Sequence, residues 1–183
     1  MQSKASRRYS LALYDTAKEK GQLKEVTKDI NFAIDLITSN RDLEMFFSSP
    51  VIPKQKKLDV VKNIFGGKVS DLCLDFMNLL FEKRRGDLTL EVFKDFIRLN
   101  KDREGIVDVF IKTSIELSDA EKANMKAKID SYTKRNSILN FEIDKSIIGG
   151  FVAKIDDTIL DASIKRQLEM LKNKFIKGDF VLN

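Results

Sequence analysis

The sequence predicts a mainly α-helical chain with a smaller α+β part. An N-terminal six-helix bundle is expected over residues 1–105, followed by a small strand-containing domain over 106–183. Three observations carry this reading. Apolar residues recur at three-to-four spacing through the first part. Glycine and proline fall between these periodic segments. Near Gly105 the pattern changes, and "IVDVFIKTS" gathers β-branched residues into a run of strand length.

The first helix places Tyr9, Ala12, Leu13 and Ala17 on one face, and Gly21 is a plausible stop. Leu23, Val26, Ile30, Ala33, Ile34 and Ile37 form an apolar stripe along the second, which "TSN" ends. "RDLEMFF" predicts a short third helix that stops before Pro50. Pro53 suits the first turn of a fourth, running to Phe65 and ended by Gly66 and Gly67. Ser70 is a fair N-cap for "DLCLDFMNLLFEK", which is apolar nearly all round and so belongs at the centre of a bundle. "RRGD" reads as a turn, and Val92, Phe93, Phe96 and Ile97 mark the sixth helix. Short connections between six helices imply bundle packing.

After the first strand, "SDAE" at Ser118 to Glu121 is a capping box and predicts a helix to about Arg135. "LNFEID" alternates, with Leu139, Phe141 and Ile143 on one face. "FVAKI" and "TILD" read as two short strands around the turn Asp156-Asp157. Ser163 can cap a last helix whose stripe is Ile164, Leu168, Leu171 and Phe175.

Composition narrows the chemistry. The 183 residues are 43% hydrophobic and 33% charged, ordinary for a soluble globular chain able to build a core. No apolar run approaches the roughly 18 residues needed to span a bilayer. The N-terminal stretch lacks a signal-peptide apolar core, because Asp15 and Glu19 interrupt it, so a chain that is cytosolic, or bound to a membrane only through partners, is expected. There is no histidine, which removes Ser-His-Asp and Cys-His nucleophilic systems and imidazole zinc sites. Cys73 is the single cysteine and reads as a small buried apolar side chain. The net charge of +5 is mild: residues 1–105 carry 20 Lys/Arg against 16 Asp/Glu, and residues 106–183 carry 13 against 12. Nucleic-acid steering would be weak.

The pair Gly149-Gly150 raises the question of phosphate binding. A Walker loop needs Gly, four residues, then Gly-Lys-Ser/Thr, but here Phe151-Val152-Ala153 follow, with no Lys or hydroxyl in register. A dinucleotide fingerprint lies between strand and helix, whereas these glycines lie between strand and strand. The structural reading remains: a bend that needs positive φ and close backbone approach.

The residues around this pair resemble the C-terminal signature of the ATP synthase delta subunit family, called the oligomycin-sensitivity-conferring protein in mitochondria. The match runs through Asp144, Ile147, Ile148, Gly149, Gly150 and Phe151, then Ile159, Leu160, Asp161, Ser163 and Ile164, then Leu168, Glu169 and Leu171. "RRYSLALYDTA" is similar to the family's opening helix at Arg8, Tyr9, Ala12, Leu13, Tyr14 and Ala17. "FFSSPVIPKQKKLDVVKNIF" is similar to its middle motif at Pro50, Lys57 and Phe65. Three motifs in family order cover nearly the whole chain. Ser10, Asp156-Asp157 and Ala162 depart from the usual residues, and "KRRGD" lacks the common Gly-Arg order, so Arg84 and Arg85 take no inherited role.

The resemblance implies a non-catalytic stator subunit of the F-type ATP synthase, without cofactor, metal or catalytic residue. Its partners would be N-terminal helices of the alpha subunits, held by the bundle, and b subunits of the peripheral stalk, held by the C-terminal part. It would meet the membrane only indirectly, through the complex, at the cytoplasmic face of a bacterial inner membrane. The implied groove for an alpha-subunit helix lies between the first and fifth helices, which puts Tyr9, Leu13, Met77 and Leu80 near it. Surplus apolar groups support this: Leu11 and Tyr14 lie off the first helix's main face, and the fifth carries Leu72, Phe76, Met77, Leu79, Leu80 and Phe81. Plain core packing suits the same four residues. Lys165, Arg166, Lys172 and Lys174 could contact an acidic stalk helix, or form a solvated face. Gly149, Gly150, Asp161 and Ser163 take structural roles at the strand–helix junction. Two other classes stand beside this one. A basic nucleic-acid-binding adaptor is suggested by Lys54/Lys56/Lys57 and Lys83/Arg84/Arg85, against the near balance of charge and the lack of a binding motif. A His-free carboxylate and Mg²⁺ enzyme lacks any cluster at metal-ligand spacing.

Overall fold

Helix periodicity in the first part and strand alternation in the second divide the chain into two units, Met1–Arg103 and Glu104–Asn183. The computed structural model describes residues 3–49 and 51–176. Across these the architecture is mainly α, with one small four-stranded sheet.

The first unit contains α1 (Lys4–Glu19), α2 (Leu23–Ser39), α3 (Arg41–Ser48), α4 (Lys54–Phe65), α5 (Asp71–Glu82), a 3-10 turn (Gly86–Leu88) and α6 (Thr89–Glu104). Short polar signals separate them. Gly21, at φ +68°, follows α1. Asn40 closes α2 and starts α3, its Oδ1 accepting from the N–H groups of Asp42 (3.1 Å) and Leu43 (3.2 Å). Pro53 stands at the N-cap of α4, one position before the first turn expected for it. Ser70 occupies the N-cap of α5 but makes no side-chain cap bond. Asp29 of α2 serves a different donor there, its Oδ2 accepting from Ser70 N at 2.7 Å, so a carboxylate from another helix takes the N-cap amide.

The stripes meet in one cluster. Val26, Ile30, Ala33 and Ile37 of α2 pack with Phe47, Phe65, Cys73, Met77, Leu80, Phe93 and Phe96 from the later helices. Phe47 is a hub, its ring centroid 6.5 Å from Phe65 and 5.3 Å from Phe81. Burial raises the Cys73 thiol to about 12, with nearby Asp29 adding to the effect. On α1 the buried face is Ser6, Ser10, Leu13, Tyr14 and Ala17. This corrects the sequence reading in two places: Ala12 is exposed, and Tyr14 is core, 6.2 Å from the Phe96 ring. The helix is rotated because its hydroxyls are also wanted inside. Ser6 Oγ donates to Asp95 Oδ2 at 2.7 Å, and Ser3 N donates to Glu91 Oε1 at 2.8 Å, tying α1 to α6.

In the second unit, β1 (Ile106–Thr113), α7 (Asp119–Thr133) and β2 (Asn136–Ile143) form a β-α-β crossover, and β3 (Phe151–Ile155) and β4 (Thr158–Asp161) precede α8 (Ile164–Ile176). The sheet order is β2-β1-β3-β4, with β1 and β2 parallel and the other pairs antiparallel. The parallel pair requires the α7 connection. The capping box at Ser118 and Glu121 starts that helix, and Lys134 in the left-handed region ends it. Val109 pairs with Leu139 on one side and Ile155 on the other, and Ile111 with Phe141 and Ala153. These share one face, which packs with Ile129 and Met125 of α7. Asp130 of α7 accepts from Ser137 N (2.6 Å) and Ser137 Oγ (2.5 Å), which locks the helix over β2.

Candidate docking surfaces

The β4–α8 junction explains the glycine pair. Gly150 has φ +80°, and a Cβ there would stand 2.4 Å from Ala162 O. Both conditions admit only glycine without strain. A Cβ on Gly149 would meet the end of the Ile164 side chain at 2.6 Å. Gly149 O accepts from Ile164 N (2.9 Å) and Phe151 O from Ala162 N (2.9 Å). The start of α8 is thereby pinned to the start of β3. Asp161 Oδ1 accepts from Ser163 N at 2.9 Å, and Ser163 Oγ accepts from Arg166 N at 3.2 Å, giving α8 its N-cap. Hydrogen bonds from Ser163, then the cations of Arg166 and Lys165, hold the Asp161 carboxyl below its ordinary range.

The helix held in this way buries none of its described side chains. Leu168 is 59% exposed and Phe175 62%, and Ile164, Leu171, Met170 and Ile176 are also exposed. Exposed apolar stripes of this kind are the form that helix-docking surfaces commonly take. Lys165, Arg166 and Lys172 are exposed beside it, Arg166 lying 3.8 Å from Glu169. The side chain of Lys174 lies outside the described residues.

The outer face of the sheet also shows apolar groups to which the sequence reading gave no surface role. Phe110 (58% exposed), Ile138 and Ile159 lie on the side away from α7. Lys112 stands beside them, 3.5 Å from Glu142 and 3.6 Å from Asp144. The available signal was apolar residues on both faces of "IVDVFIKT", where a half-solvated strand would alternate.

In the first unit, the four residues expected near a helix groove behave differently from one another. Leu13, Met77 and Leu80 are 1%, 0% and 0% exposed and belong to the common core. Corrected for this burial, they present no surface to a partner. Their stripes face the other helices, so the packing of the unit consumes them. Tyr9 is half-buried, with the Arg8 guanidinium carbon 5.8 Å from its ring centroid. The large apolar side chains that are exposed on α1 and α5 are Leu11 and Leu79. Of the basic clusters, Lys57 is buried and its Nζ donates to Phe47 O at 2.9 Å, which breaks up the suggested nucleic-acid patch.

The family model described as ATP synthase delta (OSCP) subunit matches residues 5–175. The chain belongs to that family. Relatives named ATP synthase subunit delta agree across almost their whole length. That of Chloroherpeton thalassium is 35% identical over 172 residues, covering 94% of each chain. That of Salinibacter ruber is 33% identical over 173 residues, covering 94% of this chain and 91% of its own. In fold, the chain is similar to one in the Toxoplasma gondii mitochondrial ATP synthase hexamer, with TM-score 0.72, 21% identity and coverage of 95% of this chain and 98% of that one. The family is that of the non-catalytic peripheral stator subunit of the F-type ATP synthase, and the chain takes its place there. Among the described residues no helix is long and apolar enough to cross a membrane.

Proposed function

We propose that the chain links the top of the catalytic headpiece to the peripheral stalk, with each unit carrying one docking surface. The six helices of the first unit act as a bundle that receives N-terminal helices of the alpha subunits. Tyr9, Leu11 and Leu79 supply its exposed apolar contacts on α1 and α5, while Leu13, Met77 and Leu80 hold those helices in place from inside. The second unit joins the b subunits through α8. Leu168, Leu171 and Phe175 supply the apolar seam, and Lys165, Arg166, Lys172 and Lys174 meet acidic groups on the stalk helix. Held at both ends, the headpiece resists turning with the rotor, so torque is spent on ATP chemistry. The complex then keeps this subunit at the cytoplasmic face of a bacterial inner membrane.

The bare stripe of α8 is the observation that carries this reading. A helix with no buried face gains little from its own unit and most from a partner. A torque-bearing link calls for roughly nanomolar affinity, about −12 kcal/mol. The test is calorimetry and amide NMR on the full chain. One titrant copies the N-terminal segment of the same organism's alpha subunit, the other the C-terminal segment of its b subunit. The first should shift amides of α1 and α5, the second those of α8. If the b peptide saturates without moving α8, the stalk assignment is wrong. If the alpha peptide maps away from α1 and α5, the bundle groove is wrong.

A further inference from the structure

Between the end of α3 and the start of α4, the chain crosses a hollow that neither docking surface uses. Val51, Lys54, Lys57, Phe81, Arg84 and Asp87 are among the residues lining a cavity of about 670 Å³. That volume is in the range of small-molecule sites. In its lining, three cations face one carboxylate within an otherwise apolar and small-residue wall.

Lys57 is the central group. It is 8% exposed, and among the described residues its Nζ has one recorded acceptor, Phe47 O at 2.9 Å. The Phe81 ring centroid lies 5.5 Å away. Burial pushes this ammonium below its ordinary value, and Asp87 restores only part of the loss. Capping the last turn of α3 needs one donor. A neutral amide would serve there without desolvating a charge. Lys57 therefore holds more positive charge, and more N–H groups, than the cap consumes. Lys54 adds a second cation at the mouth, only loosely paired with Glu82 at 4.0 Å with both groups half exposed. Arg84 adds a third, from a backbone held at φ +56°. The first turn of α4 opens on the same hollow with no side-chain cap.

We propose that this cavity binds a small oxyanion, a carboxylate or phosphate group, with Lys57 as the buried cation behind it and Lys54 and Arg84 as the arms that close on it. Guanidinium and ammonium groups suit either oxyanion. The apolar wall of Val51 and Phe81 gives room for a small organic body attached to the charge.

The experiment is ¹⁵N NMR of the full chain, titrated with inorganic phosphate and, separately, with succinate, each matched in ionic strength by NaCl. The expected result is saturable shifts at the amides of Lys54, Gln55 and Gly86. Lys54→Gln and Arg84→Gln change exposed side chains, so both variants should fold, and each should weaken binding about tenfold. Lys128→Gln, an exposed lysine of α7 in the second unit, should leave it unchanged. Saturation by phosphate alone, by succinate alone or by both supports the site and identifies the group it takes. Shifts no larger than those with NaCl, or saturation that survives the Lys54→Gln/Arg84→Gln pair unchanged, would overturn it.

Discussion

The two units treat their apolar residues differently. In the first, six helices turn their stripes onto one shared cluster, from Leu13 to Phe96, and three of the four side chains expected at a groove are consumed by it. In the second, the cluster is five buried side chains on one face of a four-stranded sheet with Ile129 of α7 over them, while the described residues of α8 and the outer sheet face stay exposed. A small unit has little volume to hide apolar surface in. Leu168 and Leu171 lie exposed on α8, and the proposed stalk contact would cover them. The described apolar side chains of the first unit thus largely cover one another, and those of α8 and the outer sheet face do not.

The sharpest way to break this contrast is to damage the first core. Phe65 is fully buried, with edge-on rings from Phe32 (6.4 Å) and Phe47 (6.5 Å). Phe65→Ala should cost about 3–5 kcal/mol in chemical denaturation. Cys73 offers a local probe, since its buried thiol should resist alkylation until the first unit opens. Phe65→Ala should speed that alkylation strongly, and a loss under about 1 kcal/mol would mean the core is loosely packed.

The next effect is at Gly150. Gly150→Ala combines a positive φ with a 2.4 Å approach to a backbone carbonyl, and should cost more than about 1–3 kcal/mol. Gly67→Ala is the control: its φ is +72°, but nothing lies within 4 Å of a Cβ there, so only the cost of the left-handed backbone applies, about 1 kcal/mol. Equal losses in the two variants would show that close approach to Ala162 is not what holds the β4–α8 junction. Hydrogen exchange should place the Gly150→Ala damage at β3, β4 and α8.

How much of this was legible beforehand follows from the kind of signal. Stripes such as Val26/Ile30/Ala33/Ile37 and the box Ser118/Glu121 name their structure, because spacing and local hydrogen bonds decide it. The glycine pair was legible as a bend, but its close neighbour, Ala162 O, is brought back to it only by the β3–β4 pairing. Whether an apolar residue is core or contact was not legible. Leu13 and Leu168 have the same chemistry and similar helical spacing, yet one is buried and the other bare, since that is settled by how many helices surround it. Tyr14 and Ala12 were exchanged for a related reason: α1 is rotated to bring Ser6 to Asp95, a pairing of residues remote in sequence.

Acid should separate the units without any mutation. Hydrogen bonds from serines hold Glu121, Asp130, Asp144 and Asp161 below their ordinary values, and all four lie in the second unit. A carboxylate with a depressed folded-state pKa stabilises above its unfolded pKa, and that contribution is lost as pH falls through the folded value. The loss should begin near pH 4, where unfolded carboxylates take up protons, and deepen below it. Lys57, in the first unit, is lowered by burial, so its penalty on folding is present at neutral and acid pH and is relieved only as pH rises through its folded value. On acidification, amides of the second unit should therefore lose protection before those of the first. Simultaneous loss would show that the units do not unfold independently.

The smallest expected effect is the one that bears most on function. Leu168→Gln in the free chain should change stability by less than about 0.5 kcal/mol, because the side chain is 59% exposed and gives up little buried surface. The same substitution should weaken binding of the b-subunit peptide about tenfold or more if Leu168 anchors the seam. The contrast separates a contact from a core residue in a single variant. A Leu that costs several kcal/mol in the free chain would be core after all, and α8 would then pack on its own unit. A Leu that costs nothing in either measurement would leave the stripe without a partner at that position, and would move the stalk contact toward Phe110, Ile138 and Ile159 on the open face of the sheet.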